Sequence, residues 1–133
     1  MIIFALFVYI IANLGFANSL EMSEGQKKEG AHFQVLNKST TKNYSLKLPL
    51  GQFFKFSKKE LAVYQCIHQD RKKGNDEIAL IRFISESNNE NNFLGWLFKS
   101  SPSLVTIEDE IYDIKLLGCL SKDPLFPEFR EIK

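Results

Sequence analysis

The sequence predicts an all-β chain: one small antiparallel domain, sandwich- or barrel-like, behind an N-terminal signal segment. Three observations lead there. Apolar or alternating runs of strand length recur at spacings of roughly ten to fifteen residues. No stretch after the first twenty residues sustains the 3.6-residue period of an amphipathic helix. The length, 133 residues, suits a single hydrophobic core.

The first twenty residues, MIIFALFVYIIANLGFANSL, contain no charged side chain. Ile2 to Ala12 form an apolar run of signal-peptide length. Gly15-Phe16-Ala17 places small residues at the −3 and −1 positions, so residues 1–17 are expected to be a signal peptide cleaved after Ala17; Ala17-Asn18-Ser19 offers the second choice. The rival is an uncleaved inner-membrane anchor over residues 2–20. Asn13 and Gly15 interrupt that run, and a span needs ~20 mostly apolar residues. Neither cysteine is near the cleavage site, which argues against a lipoprotein. Residues 18–30, NSLEMSEGQKKEG, are polar and read as a flexible leader.

The β domain is expected over 31–120. His32 to Leu36 is a short strand, followed by the turn NKSTTKN. Tyr44 to Leu48 alternates, with Tyr44, Leu46 and Leu48 on one face, and Pro49-Leu50-Gly51 ends it. Gln52 to Phe56 is aromatic, and Ser57-Lys58-Lys59-Glu60 turns the chain. Leu61 to Ile67 is apolar on both faces except at Gln65, as a central strand would be. After the charged loop HQDRKKGND comes Glu77 to Ile84, then the polar loop SESNNENN. Phe93 to Phe98 is again apolar on both faces. Lys99 to Glu110 is a longer connection, with one helical turn expected at Pro102-Ser103-Leu104. Ile111 to Cys119 is the last strand expected. Residues 121–133, with two prolines, are expected to be an irregular tail.

The net charge of +1 argues against nucleic acid as a partner. Cys66 and Cys119 form the whole cysteine complement, and in an exported chain two cysteines pair. Tyr112, Ile114 and Leu116 set an inward parity that Cys119 does not share, so a bulge at Gly118 would be needed to turn it inward. The metal reading of the same region uses Cys66 and His68 on one strand face, two ligands being too few for structural zinc. No metal and no cofactor is expected.

No catalytic set is recognisable. His32 and His68 have no nucleophile or carboxylate at a telling spacing, and Ser100 and Ser101 lack a nucleophile-elbow context. Glu108-Asp109-Glu110 reads as a solvated turn, without the alternating ligands of a calcium loop. The lysine pairs at 27–28, 58–59 and 72–73 read as solvated faces, and the sequons at Asn37 and Asn43 as chance matches in an Asn-rich chain.

Phe93-Leu94-Gly95-Trp96-Leu97-Phe98-Lys99-Ser100-Ser101-Pro102-Ser103-Leu104 resembles the F-x-G-W-M-F-x-S-S-P-x-L segment of the family called domain of unknown function 2155. Glu108 to Lys115 and then Cys119 resemble that family's E-H-P-V-Y-D-V-W-x-x-x-C block, with Asp109-Glu110 in place of His-Pro and Lys115 in place of Trp. Weaker likenesses lie at Leu36 to Thr40, Leu48 to Gln52, Leu61 to Cys66 and Ala79 to Ile81, so the resemblance covers about 31 to 119. It implies small exported proteins, mainly alphaproteobacterial, with an envelope location and paired cysteines. It implies no reaction.

The structural reading of the Trp96 segment puts Trp96 and Phe98 on one face, filling the core, with Gly95 allowing close approach, Tyr112 inward and Asp113 capping a turn. The functional reading has Trp96, Tyr112 and Asp113 line a recognition groove. The leading expectation is an uncharacterised, periplasmic or otherwise exported envelope protein that is not an enzyme and acts by protein–protein contact. The alternative is a module binding a glycan or peptidoglycan fragment through Trp96 and Tyr112. A third is a hydrolase with an unrecognised site, to be tested by replacing Asp113, Ser100 and His68 singly.

Overall fold

In the computed structural model the described residues are 25–70, 74–86 and 92–133. The signal segment, residues 18–24 of the leader, the lysine pair at 72–73 and part of each long polar loop lie outside them. Nine strands run in chain order among the described residues: β1 (Gln26–Lys27), β2 (Gly30–Asn37), β3 (Asn43–Pro49), β4 (Phe53–Phe56), β5 (Lys59–Gln69), β6 (Asp76–Ser85), β7 (Phe93–Phe98), β8 (Tyr112–Leu120) and β9 (Glu128–Ile132). There is no helix among the described residues; Pro102 and its neighbours form a turn in which Leu104 N–H donates to Ser101 O at 3.0 Å.

The strands form two antiparallel sheets, a sandwich. One is ordered β1-β5-β6-β7, with β4 also paired to β5; the other is ordered β8-β2-β3-β9. Each strand except the two-residue β1, which is exposed, turns one pleat face inward. Phe33 and Val35 of β2, Leu46 and Leu48 of β3, and Leu116 of β8 meet Leu61, Val63, Ile81 and Phe83 of the opposite sheet in one buried cluster. Each such side chain contributes roughly 1.5–3 kcal/mol on burial.

Two expectations are corrected. Residues 25–30 are not free leader. Gln26 and Lys27 pair with His68 and Ile67, Lys28 N–H donates to Cys66 O at 2.8 Å, and Gly30 opens β2. A Cβ at Gly30 would lie 2.7 Å from Leu48 O, so glycine permits that approach. The tail is not irregular throughout. After Pro127, β9 pairs with β3 over five residues, and the reason is one side chain: Phe129 stacks on Tyr44 at 4.7 Å and packs against Phe54 at 4.8 Å between ring centroids. The prolines end before the strand begins.

The Cys119 parity resolves by a bulge, one residue from where the sequence places it. Phe33 pairs with Leu116 and His32 with Gly118, leaving Leu117 extra. Cys119 therefore falls opposite Ala31 on the inward face and bonds Cys66 of β5, tying sheet to sheet across 53 residues of chain with a Cα–Cα distance of 5.7 Å. Closing a loop of that length is worth about 4 kcal/mol in a chain-entropy account. Replacing both cysteines by alanine is expected to lower unfolding stability by about that amount, read by urea denaturation. A loss under about 1 kcal/mol would mean that core packing alone holds the sheets together.

Candidate functional site

Parity decides where the Trp96 segment points. Leu97 of β7 pairs with Ala79, and both are buried; Trp96 pairs with Leu80, and both are half-buried. Phe93, Gly95 and Leu97 thus face the core, while Leu94, Trp96 and Phe98 face outward. Trp96 and Phe98 do share a face, but it is the outer one. A Cβ at Gly95 would lie 2.9 Å from the Phe93 ring, so glycine admits the aromatic two residues before it on the same strand.

The outer face of this sheet is apolar at its centre. Ile78 lies opposite Phe98 and Leu80 opposite Trp96, with Ile67 of β5 beside Ile78. Leu94 is 68% exposed. Lys99 N–H donates to Glu77 O at 3.0 Å, which fixes the phase of the β6–β7 ladder. Leu94, Trp96 and Phe98 then direct their backbone N–H and C=O away from β6, at the sheet edge. No charge or proline interrupts Phe93–Phe98, although edge strands ordinarily carry such protection.

The structure does not bring Trp96, Tyr112 and Asp113 together. Tyr112 is buried, its ring edge-on to Phe56 at 4.8 Å. Asp113 lies half-buried on the outer face of the other sheet, beside Lys115, Gln34 and Leu36. It does not cap the turn; Asp109 does. The Oδ2 atom of Asp109 accepts the N–H groups of Ile111 at 3.0 Å and Tyr112 at 2.8 Å, while Oδ1 takes Lys59 Nζ at 2.8 Å. Lys38 Nζ donates to its backbone carbonyl. Asp109 and Lys59 are therefore not solvated: their side chains are 2% and 11% exposed. Burial alone would push the Asp109 carboxyl up. The hydrogen bonds from Lys59, Tyr112 and Ile111, with the charge of Lys59, outweigh it and hold the group below the ordinary carboxylate range.

The metal reading of Cys66 and His68 closes because the Cys66 sulfur is bonded to Cys119. His68 instead sits between Asp70, 2.9 Å from Nε2, and Glu77, 3.4 Å from Nδ1, and Glu77 also meets Lys99 at 3.4 Å. His32 has a hydroxyl neighbour that the sequence conceals. Its Nε2 lies 2.6 Å from Ser45 Oγ, across the β2–β3 hairpin. The two residues are thirteen apart in sequence, and only the hairpin register sets them diagonally adjacent. Reading NKSTTKN as a tight hairpin loop would have supplied that register.

Residues 31–119, from the first buried side chain of β2 to the disulfide cysteine of β8, match a family described as an uncharacterized protein conserved in bacteria. The chain belongs to the family domain of unknown function 2155. No curated protein and no solved structure matches it. Within the family-matched span of this domain of unknown function 2155 protein lie β7, the Asp109 turn and both cysteines; β1 and β9 lie outside it.

Asp109→Asn is expected to cost about 3 kcal/mol at neutral pH, because it leaves Lys59 with a buried, unpaired charge. The sign with pH follows from the lowered carboxyl. Its stabilisation is complete above the ordinary value near 3.8 and is lost as the pH falls through the lower folded value. Urea denaturation at descending pH should show this acid loss in the native protein and a flatter profile in Asp109→Asn. Equal stability of the two proteins at neutral pH would refute the role given to this ion pair.

Proposed function

We propose that this protein is a non-enzymatic interaction module of the cell envelope, which binds another envelope protein through the outer face of its five-stranded sheet. The observation that carries this reading is the pairing of Ile78 with Phe98 and of Leu80 with Trp96 on a face that no other strand among the described residues covers, beside the exposed Leu94. An apolar patch with Trp96 and Phe98 at its edge, bordered by Arg82 and Gln65, suits a protein partner, where aromatic anchors carry much of the binding energy. The opposite outer face is polar, with Gln34, Asn43, Lys47, Asp113 and Lys115. Two faces of such different chemistry favour one directed contact.

The envelope location draws on the apolar N-terminus and on the disulfide, since an oxidising compartment sustains a Cys66–Cys119 bond. The glycan reading loses its groove, because the Tyr112 ring is used in the core. The hydrolase reading draws no support from Asp113, which lies on the sheet opposite His68.

The test is site-specific photocrosslinking in intact envelopes. A crosslinker at Leu94 should capture one discrete protein, a crosslinker at Lys115 should not, and Leu80→Glu should weaken capture about thirty-fold, the scale of losing a 2 kcal/mol anchor. Equal capture at both positions, or none at Leu94, would defeat the proposal.

A further inference from the structure

We propose that the recess on the outer face of β2, β3 and β9 is a binding site for a small carboxylate. It holds about 270 Å³ and is lined by His32, Ser45, Lys47, Glu128 and Arg130. Three strands build it. Lys47 pairs with His32 on one side and with Glu128 on the other, and Ser45 pairs with Arg130. Every one of these residues has the outward parity of its strand, so their side chains converge on one surface.

The charges select the ligand. Among the described residues neither Lys47 nor Arg130 forms an ion pair. Burial first, and the charge of Lys47 second, lower the His32 pKa, so its ring is neutral at neutral pH. Two cations then face one carboxylate, Glu128, leaving one unit of positive charge in the recess. That balance suits a monoanion. A dianionic phosphate would meet repulsion from Glu128 with only one net charge to offset it, and a metal cation would meet Lys47 and Arg130. A guanidinium fork matches the two oxygens of a carboxylate and Lys47 adds a point charge; with the neutral His32 ring in its Nε2–H tautomer and donating to Ser45 Oγ, the Ser45 hydroxyl is left to donate a third hydrogen bond. Glu128 can in turn accept an ammonium, so a ligand carrying a carboxylate beside an amine would use all four polar groups. Arg130 and Glu128 lie beyond the family-matched span, whereas His32, Ser45 and Lys47 lie within it.

The two histidines make the test direct, because the imidazole signals of His32 and His68 can be followed separately by NMR in the oxidised full-length chain. Acetate and glycine, titrated at constant ionic strength, should shift the His32 signals saturably and leave those of His68 in place. Arg130→Gln, a change at an exposed edge position, should weaken the response about tenfold, the scale of losing a charge-assisted hydrogen bond. Unchanged His68 signals in the variant establish that its fold is intact. An absent or non-saturating His32 shift would overturn the proposal. So would an equal shift from chloride, which would indicate screening alone, an unaltered response in Arg130→Gln, or tighter binding of phosphate than of acetate.

Discussion

Strand parity is the constraint on which most of this structure depends, because each residue of a pleated strand must face either the space between the sheets or the solvent, and a shift of one residue exchanges the two. In β8 the parity set by Tyr112, Ile114 and Leu116 would send Cys119 outward. One unpaired residue, Leu117, resets it, and the sulfur then meets Cys66 of the opposite sheet. In β5 the register slips in the same way past Tyr64, which keeps Leu61 and Val63 inward before it and Cys66 inward after it. Both partners of the disulfide thus reach the interior through a local irregularity. Bulges next to a crosslink of this kind are features of the fold, not defects in it.

The same rule explains how much was legible in the sequence. β3 was visible from its alternation, because burial on one face leaves that pattern, and β5 from an apolar run of strand length between polar turns. β7 could be placed but not oriented. Its residues are apolar on both faces, so alternation gives no sign of which side is inward, and the larger side chains of Trp96 and Phe98 point to the wrong face. The deciding information lies in the partner strand, where Ala79 is buried and Leu80 is not. β9 was concealed by the prolines at 124 and 127, whose local effect ends before Glu128, and by the distance between Phe129 and the aromatic rings of β3 and β4 that receive it. The Asp109 ion pair was hidden by its neighbours. Three adjacent acidic residues read as solvated, and only the fold shows that the middle one reaches Lys59, fifty residues away.

Asp109 and the disulfide divide the work of closing the sandwich. The long connection from β7 to β8 must cross from one sheet to the other, and Asp109 holds its last turn by accepting two backbone N–H groups that lack strand partners, while binding a lysine at the start of β5. A carboxylate so buried is tolerated because each oxygen has a donor. At the other end of β5 and β8 the covalent link does the same work. The buried anion of Asp109 has a buried cation, Lys59, within reach.

The two outer faces of the sandwich therefore have separate origins. The apolar face is built by β6 and β7, inside the family-matched span, from Ile78, Leu80, Leu94, Trp96 and Phe98. The polar recess exists because β9 adds Glu128 and Arg130 to the edge of β3, outside that span. Phe129 anchors β9 inward, and alternation then compels its two neighbours to face outward, beside Ser45 and Lys47. The aromatic contact that stabilises the last strand is thus also what completes the charged site on its other face.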